Sequence, residues 1–261
     1  PPRWVHPTRQ APRSVTILGL GPTNGHYHAA NFHYRPGVPP TDEVWTVNKG
    51  IRTQRADLVF VMDDLIGERN KAPAYFDDLM RCGKPIITSS LDAAVRALVP
   101  PFVAPLMHEF PLEQVVDYCG SLFLRACERR IDRADDIHAA RGEPVSPRYA
   151  SRLAGNHPGH LTALRDREAG LRNFYYLHNS IPFMLAYALF LETVETVHLF
   201  GVDYTYPGSD IREDDRANAE FWVGALRANG VHVKVPEATT LLNARKQPWC
   251  YGYGARQPML E

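Results

Sequence analysis

Several groups of residues in this chain are of types and spacings that do chemistry. Gly19-Leu20-Gly21-Pro22-Thr23-Asn24-Gly25 follows a short β-branched run, Ser14-Val15-Thr16-Ile17-Leu18. Glycines let a backbone come close to a ligand, and a helix starting near Pro22 and Thr23 would aim free N–H groups at a phosphate. NAD binding would also need an acid at the end of the second strand for the ribose diol. Asn48 stands there instead, so a dehydrogenase is disfavoured. A Walker loop is excluded, because no GKS or GKT follows the glycines. Asp63-Asp64 has two readings, an acidic pair for Mg²⁺ or Mn²⁺ and a cap on the next helix. Asp203 is likewise either a ribose contact or a turn cap. His26, His28 and His33 form an HxH loop without a further ligand at fixed spacing, and no metal site is expected from them.

These residues need a frame, and the apolar runs supply it. Glu43–Asn48, Asp57–Asp64 and Lys84–Ser90 each read as an apolar strand that finishes on polar residues. Buried parallel strands look like this, and such sheets carry their ligand site at the strands' carboxyl ends. A helix is expected from Ser180 to about Glu195, a strand over Thr196–Asp203, a helix from about Asp214 to Asn229 and a strand over Val231–Val235. Gly230 after Asn229 is a helix C-cap signal. The expected fold class is α/β: a Rossmann-like, mostly parallel sheet flanked by helices. Residues 1–13 read as an irregular N-terminal arm and 14–261 as one domain. Between Arg125 and Arg172 ten arginines stand against seven acids, which reads as an inserted helical lid.

Lys plus Arg equal Asp plus Glu at 29 each, so no whole-molecule field can draw in nucleic acid or an anionic membrane. Any such binding must be local. The four cysteines form no CxxC pair, which fits a reducing, cytoplasmic setting. The longest apolar stretch, Ile181–Leu191, contains Pro182 and falls well short of the roughly 20 residues a bilayer span needs. No membrane partner and no signal peptide are expected.

Four features taken together resemble the sialyltransferase-like glycosyltransferases, a bacterial lipooligosaccharide sialyltransferase family with bacteriophage relatives. They are the strand-turn Gly19-Leu20-Gly21-Pro22-Thr23, Asn48 ending the second strand, Asn179-Ser180-Ile181-Pro182-Phe183-Met184 opening an apolar helix, and Gly201-Val202-Asp203-Tyr204 after a strand. Glu220-Phe221-Trp222, Val235-Pro236 and Tyr251-Gly252-Tyr253 resemble features of the phage relatives. The order and spacing of the set carry the resemblance, which covers most of the chain outside the arginine-rich segment.

The resemblance implies a nucleotide-sugar donor as co-substrate, with no tightly bound cofactor and with the need for a divalent metal left open. Gly19, Gly21, Pro22, Thr23, Asn48, Asp63, Asn179, Ser180 and Asp203 would form the donor site. Tyr204 and Tyr206 would hydrogen-bond the departing phosphate, as a preorganised phenol can in place of a metal. The chain departs from the family in two places: Leu20 replaces an Asn of the turn, and no His precedes the acidic-aromatic helix. Asp210 falls nearest to that missing base, with His178 as the alternative. Arg129 and Arg130, in the arginine-rich segment, would grip an anionic acceptor. The phage likeness makes a hydroxymethylated base in double-stranded phage DNA one acceptor, in the host cytoplasm, and a glycan another. Two rival readings stand beside this: Mg²⁺-dependent pyrophosphoryl transfer of the hydroxymethylpterin diphosphokinase kind, and an inactive nucleotide-binding module.

Overall fold

The apolar runs become strands. β1 (Ser14–Leu18), β2 (Glu43–Val47), β3 (Leu58–Val61), β4 (Ile86–Thr88), β5 (Met107–Glu109), β6 (Thr196–Phe200) and β7 (His232–Lys234) form one sheet in the order β5-β4-β3-β2-β1-β6-β7. Every neighbouring pair is parallel. The computed structural model describes residues 4–8, 10–28, 41–52, 56–120, 122, 177, 179–204, 213–236 and 238–242. β2, β3 and β4 are buried along their whole length, as befits parallel strands covered on both faces.

Alternation along β3 divides the core. Val59 and Val61 join Leu65, Tyr75, Phe76 and Leu79, which come from the helices Leu65–Lys71 and Pro73–Arg81. Phe60, between them, points the other way. Its ring centroid lies 5.6 Å from Trp45 and 5.7 Å from Tyr187 of the helix Ser180–Phe190. That helix is apolar all round and buried from Ile181 to Leu189 except at Phe183, so it is a core helix and not an amphipathic surface one.

Several boundaries differ from the sequence reading. The helix begun at Ser180 stops at Phe190, short of Glu195, because Leu191 caps it and Glu192 turns left-handed at φ 58°. The strand expected over Thr196–Asp203 stops at Phe200, because Gly201 turns the chain at φ 68°. β5 carries no apolar run and was not expected. Gly230 does follow a helix, Glu213–Ala228, with φ 86°.

The N-terminal arm has no regular structure at residues 4–8 and 10–12, yet it is anchored. His6, its side chain 5% exposed, stands between the Tyr187 hydroxyl (2.8 Å from Nδ1) and the Glu43 carboxylate (3.0 Å from Nε2). Glu43 also accepts from the Thr8 hydroxyl and, at 2.7 Å, from the Trp45 indole N–H. Burial works to raise this carboxyl, but the bonds from His6, Thr8 and Trp45 overcome it and hold it below the usual range.

By internal contacts the chain falls into two compact units. One, Val5–Phe110 with His178–Glu261, holds the sheet; the other comprises Pro1–Trp4 and Pro111–Leu177. In the second, residues 112–120 are helical, with Val115, Val116 and Cys119 buried, and the Trp4 N–H donates to Gln114 Oε1 at 3.1 Å. Residues 125–172, Arg129 and Arg130 among them, lie outside the described residues. No described helix is long and apolar enough to cross a membrane.

Candidate functional site

After β1 the chain moves to β2 and onward to one side, whereas β6 lies on β1's other side. Loops leaving the carboxyl ends of β1 and β6 therefore diverge and leave a crevice, the place where open parallel sheets bind ligands. A cleft of about 270 Å³ sits there. It is lined by Gly19 and Leu20 after β1, Val47 and Asn48 of β2, Asp63 after β3, Asn179–Ile181 at a helix start, Gly201–Tyr204 after β6, and Asp215. Seven residues expected from the sequence thus share one cleft: Gly19, Asn48, Asp63, Asn179, Ser180, Asp203 and Tyr204. Gly21, Pro22 and Thr23 do not line it. His178, Tyr206 and Asp210 lie outside the described residues.

The glycine turn differs in its work from the sequence expectation. Gly19 N–H donates to Phe200 O at 2.8 Å, Gly21 N–H to Gly201 O at 2.7 Å, and Asn24 N–H to Gly21 O at 3.1 Å. Thr23 gives its N–H to Asp203 Oδ2 at 2.8 Å. The N–H groups expected to face a phosphate are engaged within the protein. What the glycines permit is contact between two backbones: a Cβ on Gly19 would stand 2.2 Å from Gly201 O, and one on Gly21 2.6 Å from Asp203 Oδ2.

The carboxylates are also occupied. Asp203, 2% exposed, accepts the Thr23 hydroxyl at 2.8 Å as well as its N–H, and that hydroxyl oxygen in turn accepts the Gly201 N–H at 2.9 Å. Of its two sequence readings, the cap on a neighbouring turn is the one these bonds make. Asp64 caps the helix Leu65–Lys71 by accepting Ile66 N–H at 3.0 Å. Asp63 instead reaches across to β2 and accepts Asn48 Nδ2–H at 2.7 Å. Asn48 takes φ 42°, a left-handed conformation that Asn tolerates, and opens a 3₁₀ turn, Asn48–Arg52. Its Oδ1 is buried without a hydrogen-bond partner.

Asn179 caps the helix Ser180–Phe190: its Oδ1 accepts Ile181 N–H at 3.1 Å and the Tyr204 hydroxyl at 3.2 Å. Tyr204, buried, holds φ 52°, a conformation that costs a bulky residue about 1–2 kcal/mol. Two of the four described non-glycine residues with positive φ thus line the cleft, as strained residues often do at ligand sites.

Sequence reasoning passed over three contributors to the wall. Ile181 and Val202 were quoted only within motifs, and Asp215 was hidden in a helix with no periodic signal to mark it. Together the described lining residues carry three carboxylates, of Asp63, Asp203 and Asp215, and no Lys, Arg or His. Among the described residues no group of three His, Cys, Asp or Glu is placed to hold a metal ion. A second hollow, about 320 Å³, lies by Thr8, Gln10–Arg13, Asp42 and Glu43 at the amino ends of β1 and β2. Its acids are already bonded, Asp42 to the N–H groups of Arg13 and Ser14 and Glu43 as above, so the smaller cleft is the better candidate.

The chain is similar to the sialyltransferase CstII from Campylobacter jejuni, solved with the substrate analogue cytidine-5′-monophosphate. The identity is 15% and the TM-score 0.40, over 88% of this chain and 83% of that one. A tyrosine-to-phenylalanine variant of Cst-II in complex with CMP gives 13% identity and a TM-score of 0.41, over 88% and 84%. No protein-family model and no curated protein matches the chain.

Proposed function

We propose that the protein is a glycosyltransferase that moves a sugar from a nucleotide-sugar donor to a hydroxyl acceptor by direct, inverting displacement. One observation carries this reading: four sequence motifs, drawn from positions as far apart as Gly19 and Tyr204, meet in one cleft at the carboxyl ends of a parallel sheet. Such a transfer needs a donor pocket, a base for the acceptor proton and stabilisation of the leaving nucleotide. Asn48, Asn179 and Ser180 supply polar groups for the pocket. Asp210 is the proposed base, with His178 the alternative, and Tyr206 is the proposed donor to the leaving phosphate, since the Tyr204 hydroxyl is directed to Asn179. The acceptor proposed from the arginine-rich segment is a hydroxymethylated base in double-stranded DNA, gripped by Arg129 and Arg130. The carboxylates that pyrophosphoryl transfer would use to hold Mg²⁺ are bound instead to Asn48, Ile66 and Thr23, which lends that alternative no support.

Incubation with CMP-, UDP-, GDP- and ADP-sugars should release free sugar and nucleotide from one of them, followed by chromatography. Duplexes with 5-hydroxymethylcytosine or 5-hydroxymethyluracil should then gain the mass of one sugar. Hydrolysis without any DNA adduct would replace DNA by a glycan or small molecule. Binding without hydrolysis of any donor would leave the inactive nucleotide-binding module.

A further inference from the structure

The cleft wall assigns a part of the ligand as well as a ligand class. Two features of such folds hold phosphates: the glycine turn after β1 and a helix N-terminus. Here both are preoccupied. The N–H groups of Gly19, Gly21, Thr23 and Asn24 are bonded within the protein. At the helix Ser180–Phe190, Ile181 gives its N–H to the Asn179 cap, and Pro182, the third helical residue, has none. Phosphate oxygens brought to this wall would meet three carboxylates and no described cationic side chain. Like charges at short range in a partly desolvated crevice repel.

The remaining surface has another character. Leu20, 45% exposed, is one of few large apolar side chains open to solvent in the described protein. It projects into the cleft from a turn pinned on either side by the Gly19 and Gly21 backbone bonds and by Asn24 Nδ2–H donating to Gly19 O at 3.1 Å. With Val47, Ile181 and Val202 it gives the cleft an apolar part beside the polar one of Asn48 and Ser180. A rigidly held, solvent-exposed leucine in a binding cleft is a ready contact for a flat apolar face.

The geometry points to an uncharged nucleoside subsite, in which Leu20 packs against the base and sets specificity, with the phosphates directed away from this wall. The inference rests on the nucleotide-sugar reading above and refines it. It has a direct test in the full-length protein with ¹³C-labelled leucine methyl groups, titrated with cytidine, uridine, adenosine and guanosine, with their 5′-monophosphates, with free monosaccharides and with inorganic phosphate. The expected result is that one nucleoside and its monophosphate both shift the Leu20 methyl signals, and that inorganic phosphate does neither that nor compete. Leu20→Ala should weaken both ligands about tenfold, the worth of one to two buried CH₂ groups, and leave their affinity ratio unchanged. Leu20 signals that respond to phosphate or to monosaccharides alone, or a Leu20→Ala loss confined to the phosphorylated ligand, would overturn the subsite. Nucleotide binding with Leu20 unmoved would overturn it while sparing the transferase reading. Failure of every nucleoside, nucleotide and nucleotide sugar to bind would overturn both.

Discussion

At Gly19 the absence of a side chain matters because another backbone, at Gly201, occupies the space a Cβ would need. Gly19→Ala would set its methyl 2.2 Å from Gly201 O, and neither backbone can swing aside as a side-chain tip does. The expected cost is roughly 1–3 kcal/mol, the range for overpacking a well-filled site. Gly224 is a contrast inside the helix Glu213–Ala228, where a Cβ would meet nothing within 4 Å. Gly224→Ala should stabilise the protein by about 0.5–1 kcal/mol through helix propensity. Urea unfolding of the two variants would check both signs; a neutral Gly19→Ala would remove the backbone stack as the reason for the glycine. The sequence marked Gly19 as a place of close approach but not what approached, since Gly201 lies 182 residues away. Nor did it separate Asp63 from Asp64: only the helix start at Leu65 decides which carboxylate caps and which is free to turn to Asn48.

Elements were legible where burial is two-sided. The runs at 14–18 and 43–47 appear as strands with their sequence boundaries nearly intact, because a strand buried on both faces must be apolar throughout. β5, three residues at a sheet edge with pattern buried, half-buried and exposed, has no such run to read. The arm was legible only as irregular. Its anchor joins residues 37 and 181 positions apart, His6 to Glu43 and His6 to Tyr187, and no local pattern foretells that. The anchor gives the elements a pH dependence. Glu43 has its carboxyl depressed in the folded protein, so the unfolded chain takes up a proton first as pH falls. The stabilisation from this group is therefore complete above the unfolded value of about 4.3 and is lost below it. Glu43→Gln, which keeps the shape but replaces an acceptor with a donor facing His6, Thr8 and Trp45, should cost about 1–3 kcal/mol at pH 7. Denaturation of both proteins at pH 7 and near pH 3 should show that gap narrowing in acid; a gap independent of pH would mean the carboxylate charge is not what holds the arm.

At the scale of the molecule the strand order matters most, because it puts the divergence of loops between β1 and β6 and so gathers Asn48, Asn179-Ser180 and Asp203-Tyr204 about one cleft. Parallel strands with polar ends announced such a site in the sequence; which loops would be neighbours did not follow from it, since β6 begins 178 residues after β1 ends. A neutral chain has no general attraction for anions, so nucleotide binding must come from contacts in this cleft and should be selective for one base. Binding to the folded form alone adds stability by mass action, about 2.7 kcal/mol when ligand stands at 100 times its dissociation constant, which is a rise of a few degrees for a chain of this size. Among CMP, UMP, GMP and AMP, one should give that rise and the others little. Asn48→Ala should diminish it, with affinity lower by roughly 1–3 kcal/mol where a ligand group loses its buried partner. Calorimetry distinguishes that loss from a general weakening of the fold, because the enthalpy and stoichiometry of binding are read at a temperature where both proteins are folded. Equal affinity in the two proteins would take Asn48 out of the binding surface and leave its bond to Asp63 as a support for the turn it opens.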